Sequence, residues 1–224
     1  MLLCIKNLTF GWQKEPLFEN ITCQLSQKEI IQLSGENGSG KTTLLHLISG
    51  LIPHFSRGEL LTGEIFINER SVLKEPPKSF FPTIAFIPGI NLDFFLLTES
   101  LRQEMLLTRS ILKASEIMVE KRFNEFSNFF PDLSELIDMP FKQMQINHKI
   151  VALTFIFYLQ NAQLYLFDEV MTTFSESIIQ QWYSFFEWLS SNGCITIFVN
   201  HHQQVKQFPQ WFLMDKKLTV QNQD

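Results

Sequence analysis

The stretch Gly35-Glu36-Asn37-Gly38-Ser39-Gly40-Lys41-Thr42 completes the pattern G-x-x-x-x-G-K-[ST], and few other short patterns constrain a fold as strongly. An apolar run, Glu29 to Leu33, precedes it and Thr43-Leu44-Leu45-His46-Leu47-Ile48 follows, which is the strand, loop and helix order that a phosphate-cradling loop requires. Concentrated phosphate charge needs many donors at short range, and glycines let successive backbone N–H groups turn inward. A helix starting near Lys41 aims its free N–H groups and positive dipole end at the same point. In this reading Glu36, Asn37, Ser39 and Thr43 complete the cradle around Gly35, Gly38 and Gly40. Lys41 reaches the β/γ oxygens, and the Thr42 hydroxyl ligates Mg²⁺. The competing reading is a glycine-rich turn before an ordinary helix, and Lys-Thr at the demanded positions argues against it.

At 224 residues, with 45% apolar and 18% charged residues, the chain suits one domain or one domain with an insert. Its net charge of −5 gives no basic footprint, so no nucleic-acid partner is expected. Cys4, Cys23 and Cys194 are widely spaced and form no C-x-x-C pair, which points away from a disulfide framework or a zinc site. The start, Met1 to Lys6, reads as a strand and not as a targeting segment. The run Ile150 to Leu159 is far shorter than the roughly 20 residues that span a bilayer, so any membrane contact is expected through partners. Most of the 23 phenylalanines are expected in the core, although pairs such as Phe80-Phe81 and Phe94-Phe95 are open to a partner-facing reading.

Alternation predicts strands at Leu2 to Ile5, Asn20 to Leu25 and Ile30 to Leu33, a β-rich opening. Gly50 reads as the cap of the phosphate-loop helix and Pro53 as its stop, followed by a strand over Gly63 to Asn68. After a short strand at Thr83 to Ile87, apolar residues recur at helical spacing from Thr98 to about Phe130. A buried helix from Ile150 leads to the strand Gln163 to Phe167, which ends on Asp168-Glu169. The segment Ser175 to Leu189 places Ile178, Ile179, Trp182, Phe185, Phe186 and Leu189 on one face, read as core packing, with Gly193 as terminator. Cys194 to Val199 is the next strand, carrying Asn200-His201-His202. Trp211 to Val220 closes as a strand pair around Asp215-Lys216-Lys217.

Phosphoryl transfer to water needs a metal holder, a group that orients the water and a sensor of the terminal phosphate. Asp168 fits the metal-binding carboxylate, and Glu169 beside it fits the general base. Either His201 or His202 fits the third role, and a two-histidine metal site lacks a nearby third ligand.

The order of phosphate loop, helical insert, Leu166-Phe167-Asp168-Glu169 and Val199-Asn200-His201 resembles the ATP-binding subunit of ABC transporters over essentially the whole chain. That resemblance implies an α/β P-loop NTPase fold, an ABC ATPase cassette with a β-rich N-terminal subdomain and a helical insert. It divides one domain, residues 1–224, into a nucleotide-binding core of 1–90 and 148–224 and a helical subdomain of about 91–147. It selects His201 over His202 and nominates Trp12, in Leu8-Thr9-Phe10-Gly11-Trp12, to stack on adenine.

ATP and Mg²⁺ are the implied cofactors. The implied partners are membrane-embedded transporter subunits and a second ATPase subunit, with this chain peripheral on the cytoplasmic side of the inner membrane. Gly50 to Phe55, Gly58 to Ile67 and Asp93 to Thr98 resemble the energy-coupling-factor branch, which serves vitamin and metal uptake.

Several positions depart from the family pattern. Gln143-Met144-Gln145-Ile146-Asn147-His148 stands where the family has Leu-Ser-Gly-Gly-Gln, and Pro88 falls near the expected Q-loop glutamine. Val170 replaces a proline, and Ser175 an aspartate. These departures predict a site that depends on a partner's intact signature, or a subunit that binds ATP without turning it over. A soluble ABC ATPase outside transport is a third reading, disfavoured by the single short cassette. A kinase or GTPase would share the phosphate loop, but no guanine-reading Asn-Lys-x-Asp motif occurs, and Asp168-Glu169 followed by Asn200-His201 suits ATP hydrolysis better.

Overall fold

The computed structural model describes residues 2–92, 96–172, 174–199 and 208–221. A four-stranded antiparallel sheet is built from β1 (Leu2–Gly11), β2 (Phe18–Ser26), β4 (Leu60–Ile67) and β5 (Arg70–Ser71), in the order β2-β1-β4-β5. The second sheet contains β3 (Ile30–Gly35), β6 (Ile84–Pro88), β7 (Leu164–Asp168), β8 (Ile195–Val199), β9 (Gln210–Met214) and β10 (Lys217–Gln221). Its order is β10-β9-β3-β8-β7-β6, parallel except for the terminal β9-β10 hairpin. Asp215 and Lys216 turn that hairpin with φ of 49° and 63°, the left-handed pair that matches strand twist in a tight hairpin.

Both faces of the central sheet are covered, as period-two alternation of apolar side chains requires. Leu164 and Leu166 of β7 and Ile195, Ile197 and Val199 of β8 join the core shared with the antiparallel sheet. That core also takes Leu44, Leu45, Leu47 and Ile48 of α1 (Lys41–Ile48). Tyr165, Phe167 and Phe198 point the other way, into an aromatic core with α6 (Ile146–Leu159) and α7 (Glu176–Ser191). Trp182, Phe185, Phe186 and Leu189 of α7 are fully buried there, so the helical stripe is core packing. Each such side chain contributes roughly 1.5–3 kcal/mol by leaving water. Three helices, α3 (Leu101–Leu112), α4 (Glu116–Ser127) and α5 (Leu133–Leu136), lie between β6 and α6 in sequence and pack on α6.

Several boundaries depart from the sequence expectation. Strand β1 runs through Asn7 to Gly11, with register shifts that absorb the irregular residues, and β4 begins at Leu60 instead of Gly63. Gly50 does turn the chain after α1, with φ 78°. Pro53 is not the stop: it sits inside a short turn, α2 (Leu51–His54), where Ile52 is already extended. Helix α6 starts at Ile146, four residues before the expected Ile150. Of the phenylalanine pairs, Phe80, Phe130, Phe185 and Phe186 are buried, whereas Phe81 is half exposed; Phe94 and Phe95 lie outside the described residues. All three cysteines are free thiols. Among the described residues no helix is long and apolar enough to cross a membrane.

Candidate functional site

Strand β3 delivers Gly35 to the edge of a loop that closes at the first turn of α1. Gly35 has φ 152°, and a Cβ there would lie 2.4 Å from the Leu213 carbonyl oxygen; no side chain fits. Gly40 caps α1 in the left-handed region at φ 102°, with Leu17 2.9 Å from where its Cβ would be. Ser39 N–H donates to the Glu36 carbonyl at 3.2 Å, tightening the loop. Lys41 folds back across it, its Nζ donating to the Gly35 and Glu36 carbonyls at 2.9 Å each. The Ser39 hydroxyl is buried and has no hydrogen-bond partner, an orphan polar atom within the glycine-rich loop. That combination fits an anion with several oxygen acceptors.

Thr42 and Asp168 meet at the end of the parallel strands. The Thr42 hydroxyl donates to Asp168 Oδ1 at 3.0 Å, although Asp168 is largely buried at the C-terminus of β7. Glu169 follows with φ 57°. Next to it, Gly89 N–H donates to the Asp168 carbonyl at 2.7 Å, and a Cβ on Gly89 would come within 2.7 Å of the Glu169 carbonyl oxygen. Thr172 Oγ1 donates to that same carbonyl at 3.2 Å. Burial pushes the Lys41 ammonium below its usual range, and the Glu169 and Asp168 carboxylates act against that shift.

The loop and Glu169 open on one cleft of about 900 Å³, lined by Gly35 to Gly38, Gly40 to Thr43, Glu169, Thr172, Leu17 and Trp12. Trp12 is 45% exposed and its ring meets Phe10 edge to face, 5.0 Å between centroids. An aromatic ring and the loop that carries Lys41 therefore line the same cleft. A smaller cavity of about 460 Å³ adjoins it on the carboxylate side, sharing Thr42, Glu169 and Thr172 and reaching Asp168, His46 and Asn91.

The structure thus brings together Trp12, the residues from Gly35 to Thr43, Asp168 and Glu169. His201 lies outside the described residues. Leu17, Gly89 and Thr172 were missed by the sequence reading. Of these, only Gly89 left a trace, as a glycine directly after a strand.

The stretch from Gln143 to His148 forms the entry to α6. Gln143 ends a 3-10 turn (Phe141–Gln143), Gln145 is the N-cap without a side-chain cap bond, and Ile146 opens the helix. Met144 turns into the aromatic core and is not available at the surface, whereas Ile146 is 44% exposed. Pro88, at the expected glutamine position, ends β6 opposite Asp168. Ser175 is the N-cap of α7.

A sequence model of the family described as ABC transporter matches residues 18–172. The cytochrome c biogenesis ATP-binding export protein CcmA of Xanthomonas campestris pv. campestris (strain 8004) is 32% identical over 92 residues, 41% of this chain. That match spans 40% of the relative's own length. The CcmA protein of Legionella pneumophila (strain Paris) is 27% identical over 78% of this chain and 80% of its own. EcsA, an ABC-type transporter ATP-binding protein of Bacillus subtilis (strain 168), is 31% identical over 54% of this chain and 45% of its own length. Among solved structures, the ATP-binding subunit of an ABC transporter superposes with a TM-score of 0.82 at 21% identity, covering 99% of this chain and 90% of that one. The structure of cbiO1 from Clostridium perfringens, part of the ABC transporter complex cbiONQ, gives 0.77 at 16% identity over 99% and 88%. At such identities the likeness is one of fold, an α/β ABC ATPase cassette.

Proposed function

The chain belongs to the ABC transporter family, and we propose that it is the ATP-binding subunit of a transporter, binding Mg-ATP and hydrolysing it to drive transport through separate membrane subunits. One observation carries the reading: the Thr42 hydroxyl and the Asp168 carboxylate converge at the mouth of a loop built for phosphate. Both are hard oxygen donors, as Mg²⁺ prefers. Mg²⁺ is commonly held by one or two protein oxygens with the rest from phosphate and water, and among the described residues no larger cluster of ligating side chains occurs. When bound, the ion neutralises phosphate charge and orients the terminal phosphate.

In this reading the chain's own residues divide the work. Trp12 offers a face to the adenine. Gly35, Glu36, Asn37, Gly38, Ser39, Gly40 and Thr43 surround the phosphates with N–H and hydroxyl donors. Lys41 exchanges its two carbonyl bonds for phosphate oxygens, which its charge favours. Thr42 and Asp168 hold the metal, Glu169 accepts a proton from the attacking water, and His201 contacts the terminal phosphate. Residues 1–90 and 148–224 form the nucleotide-binding core around a helical subdomain at about 91–147.

The cleft is open on one side, which suits completion by a second ATPase subunit. Support for a partner with its own signature comes from α6: its N-terminus presents Ile146 where glycines would permit close approach to a phosphate. The same observation favours a second reading, a subunit that binds ATP and holds an assembly without turnover. The subunit is proposed to sit peripherally on the cytoplasmic side of the inner membrane, bound through its membrane-embedded partners. Affinity purification from membranes, followed by ATPase assays of the chain alone and of the complex, tests the proposal. Slow or absent turnover alone with Glu169-dependent turnover in the complex supports it. Full-rate hydrolysis by the isolated chain that survives Glu169→Gln contradicts it.

A further inference from the structure

On the face of the sheet away from the phosphate loop, a cavity of about 340 Å³ opens between α4, the C-terminal ends of α6 and α7, and β7. Its size falls within the range of small-ligand sites, which begins at about 300 Å³. Arg122 forms one wall. It donates through Nη1 to the Tyr158 carbonyl and through Nη2 to Asn161 Oδ1 at 2.7 Å, and lies 5.1 Å from the Tyr158 ring centroid. Both acceptors are neutral, so these hydrogen bonds leave its charge uncompensated, and a guanidinium carries further N–H donors beyond the two engaged. Nearby, Lys121 faces Glu125 at 3.8 Å, and Glu125 accepts the Tyr158 hydroxyl at 2.5 Å. Two cations thus stand against one carboxylate.

At the bottom of the cavity is Tyr165. Its side chain is fully buried, and its hydroxyl has no hydrogen-bond partner. A buried hydroxyl without a partner is costly, and a native structure that keeps one has a use for it or fills it. The field of Arg122 reaches that hydroxyl and the Cys194 thiol, consistent with their sharing one cavity. The rest of the lining is mixed: Trp188, set edge to face with Tyr158 at 5.4 Å, forms a flat aromatic wall with Leu189, Ala162 and Met118 beside it, and Asn161, Asn192 and Cys194 add polar atoms.

We propose that this cavity is a second ligand site, taking a small carboxylate with a flat apolar body that accepts hydrogen bonds from Arg122 and Tyr165 and packs on the Trp188 ring. An inorganic phosphate would leave the aromatic walls uncovered and would place added negative charge near Glu125. The site joins α4 to β7, three residues before Asp168, so an occupant ties the helices that follow β6 to the strand that carries the metal carboxylate. Binding itself does not depend on the nucleotide reading.

The test is fluorine NMR with 4-fluorobenzoate as probe and the full chain as receptor. The expected result is saturable line broadening that persists in Lys41→Ala, is lost in Arg122→Gln and weakens about tenfold in Tyr165→Phe, the scale of one hydrogen bond to a charged group. Tyr165→Phe only removes the unpartnered hydroxyl, so it stays informative if Arg122→Gln does not fold. No saturable binding, binding unchanged in Tyr165→Phe, equal binding of neutral 4-fluorobenzamide, or loss of binding in Lys41→Ala, which would place the anion at the phosphate loop, each overturns the proposal.

Discussion

The Thr42 hydroxyl and the Asp168 carboxylate, 126 positions apart in sequence, are joined by a 3.0 Å hydrogen bond at the mouth of the phosphate loop. Asp168→Asn keeps an oxygen for the Thr42 hydroxyl but removes the charge that a divalent cation needs. ATP affinity in Mg²⁺ should fall about tenfold or more, the scale of one charge-assisted contact. It should then match the affinity measured in EDTA, and calorimetry in the two buffers checks this.

Gly89 holds the Asp168–Glu169 peptide from the neighbouring strand, with no room for a Cβ against two backbone carbonyls. Gly89→Ala should destabilise the fold by roughly 1–3 kcal/mol, read from the urea midpoint. It should also reduce hydrolysis in the assembled complex much more than ATP binding, because Lys41 and the loop are untouched.

How far this site could be read from the sequence depended on how local its causes are. Lys41, Thr42 and Asp168 announce themselves through loop chemistry and a strand that ends on a carboxylate. Gly89 does not, because its constraint comes from the parallel pairing of β6 with β7, residues far apart in the chain. The start of α6 was misplaced because Gln145 is a weak cap and makes no side-chain bond, so the helix begins without the usual Ser, Thr, Asp or Asn signal. The helical stripe of α7 and the closing hairpin were legible, since period and turn chemistry agree there with the tertiary packing.

Trp12 lines the cleft and is braced by Phe10. Trp12→Ala should weaken ATP binding by up to about tenfold, equivalent to roughly 1.5 kcal/mol of lost stacking. Inorganic triphosphate, which has no base, should bind the variant and the parent equally well in a competition assay.

His46 packs edge to face on Phe86, 5.0 Å between centroids, and burial pushes its imidazole below the usual value of 6.5. The unfolded chain therefore takes up a proton at higher pH than the folded one. Stability should fall as pH drops below about 6.5, and the loss should be complete once the folded-state value is passed. His46→Gln should flatten that slope, measured as urea midpoints between pH 7.5 and pH 5.

In the proposed function the loop around Lys41 holds the phosphates of Mg-ATP. Direct titration of the purified chain with Mg-ATP, in parallel with Lys41→Ala of matched thermal stability, tests it. Saturable one-to-one binding by the parent is expected, with a loss of about a hundredfold or more in the variant, the scale of two charge-assisted contacts. Equal affinity in both proteins, or no binding by the parent, contradicts it.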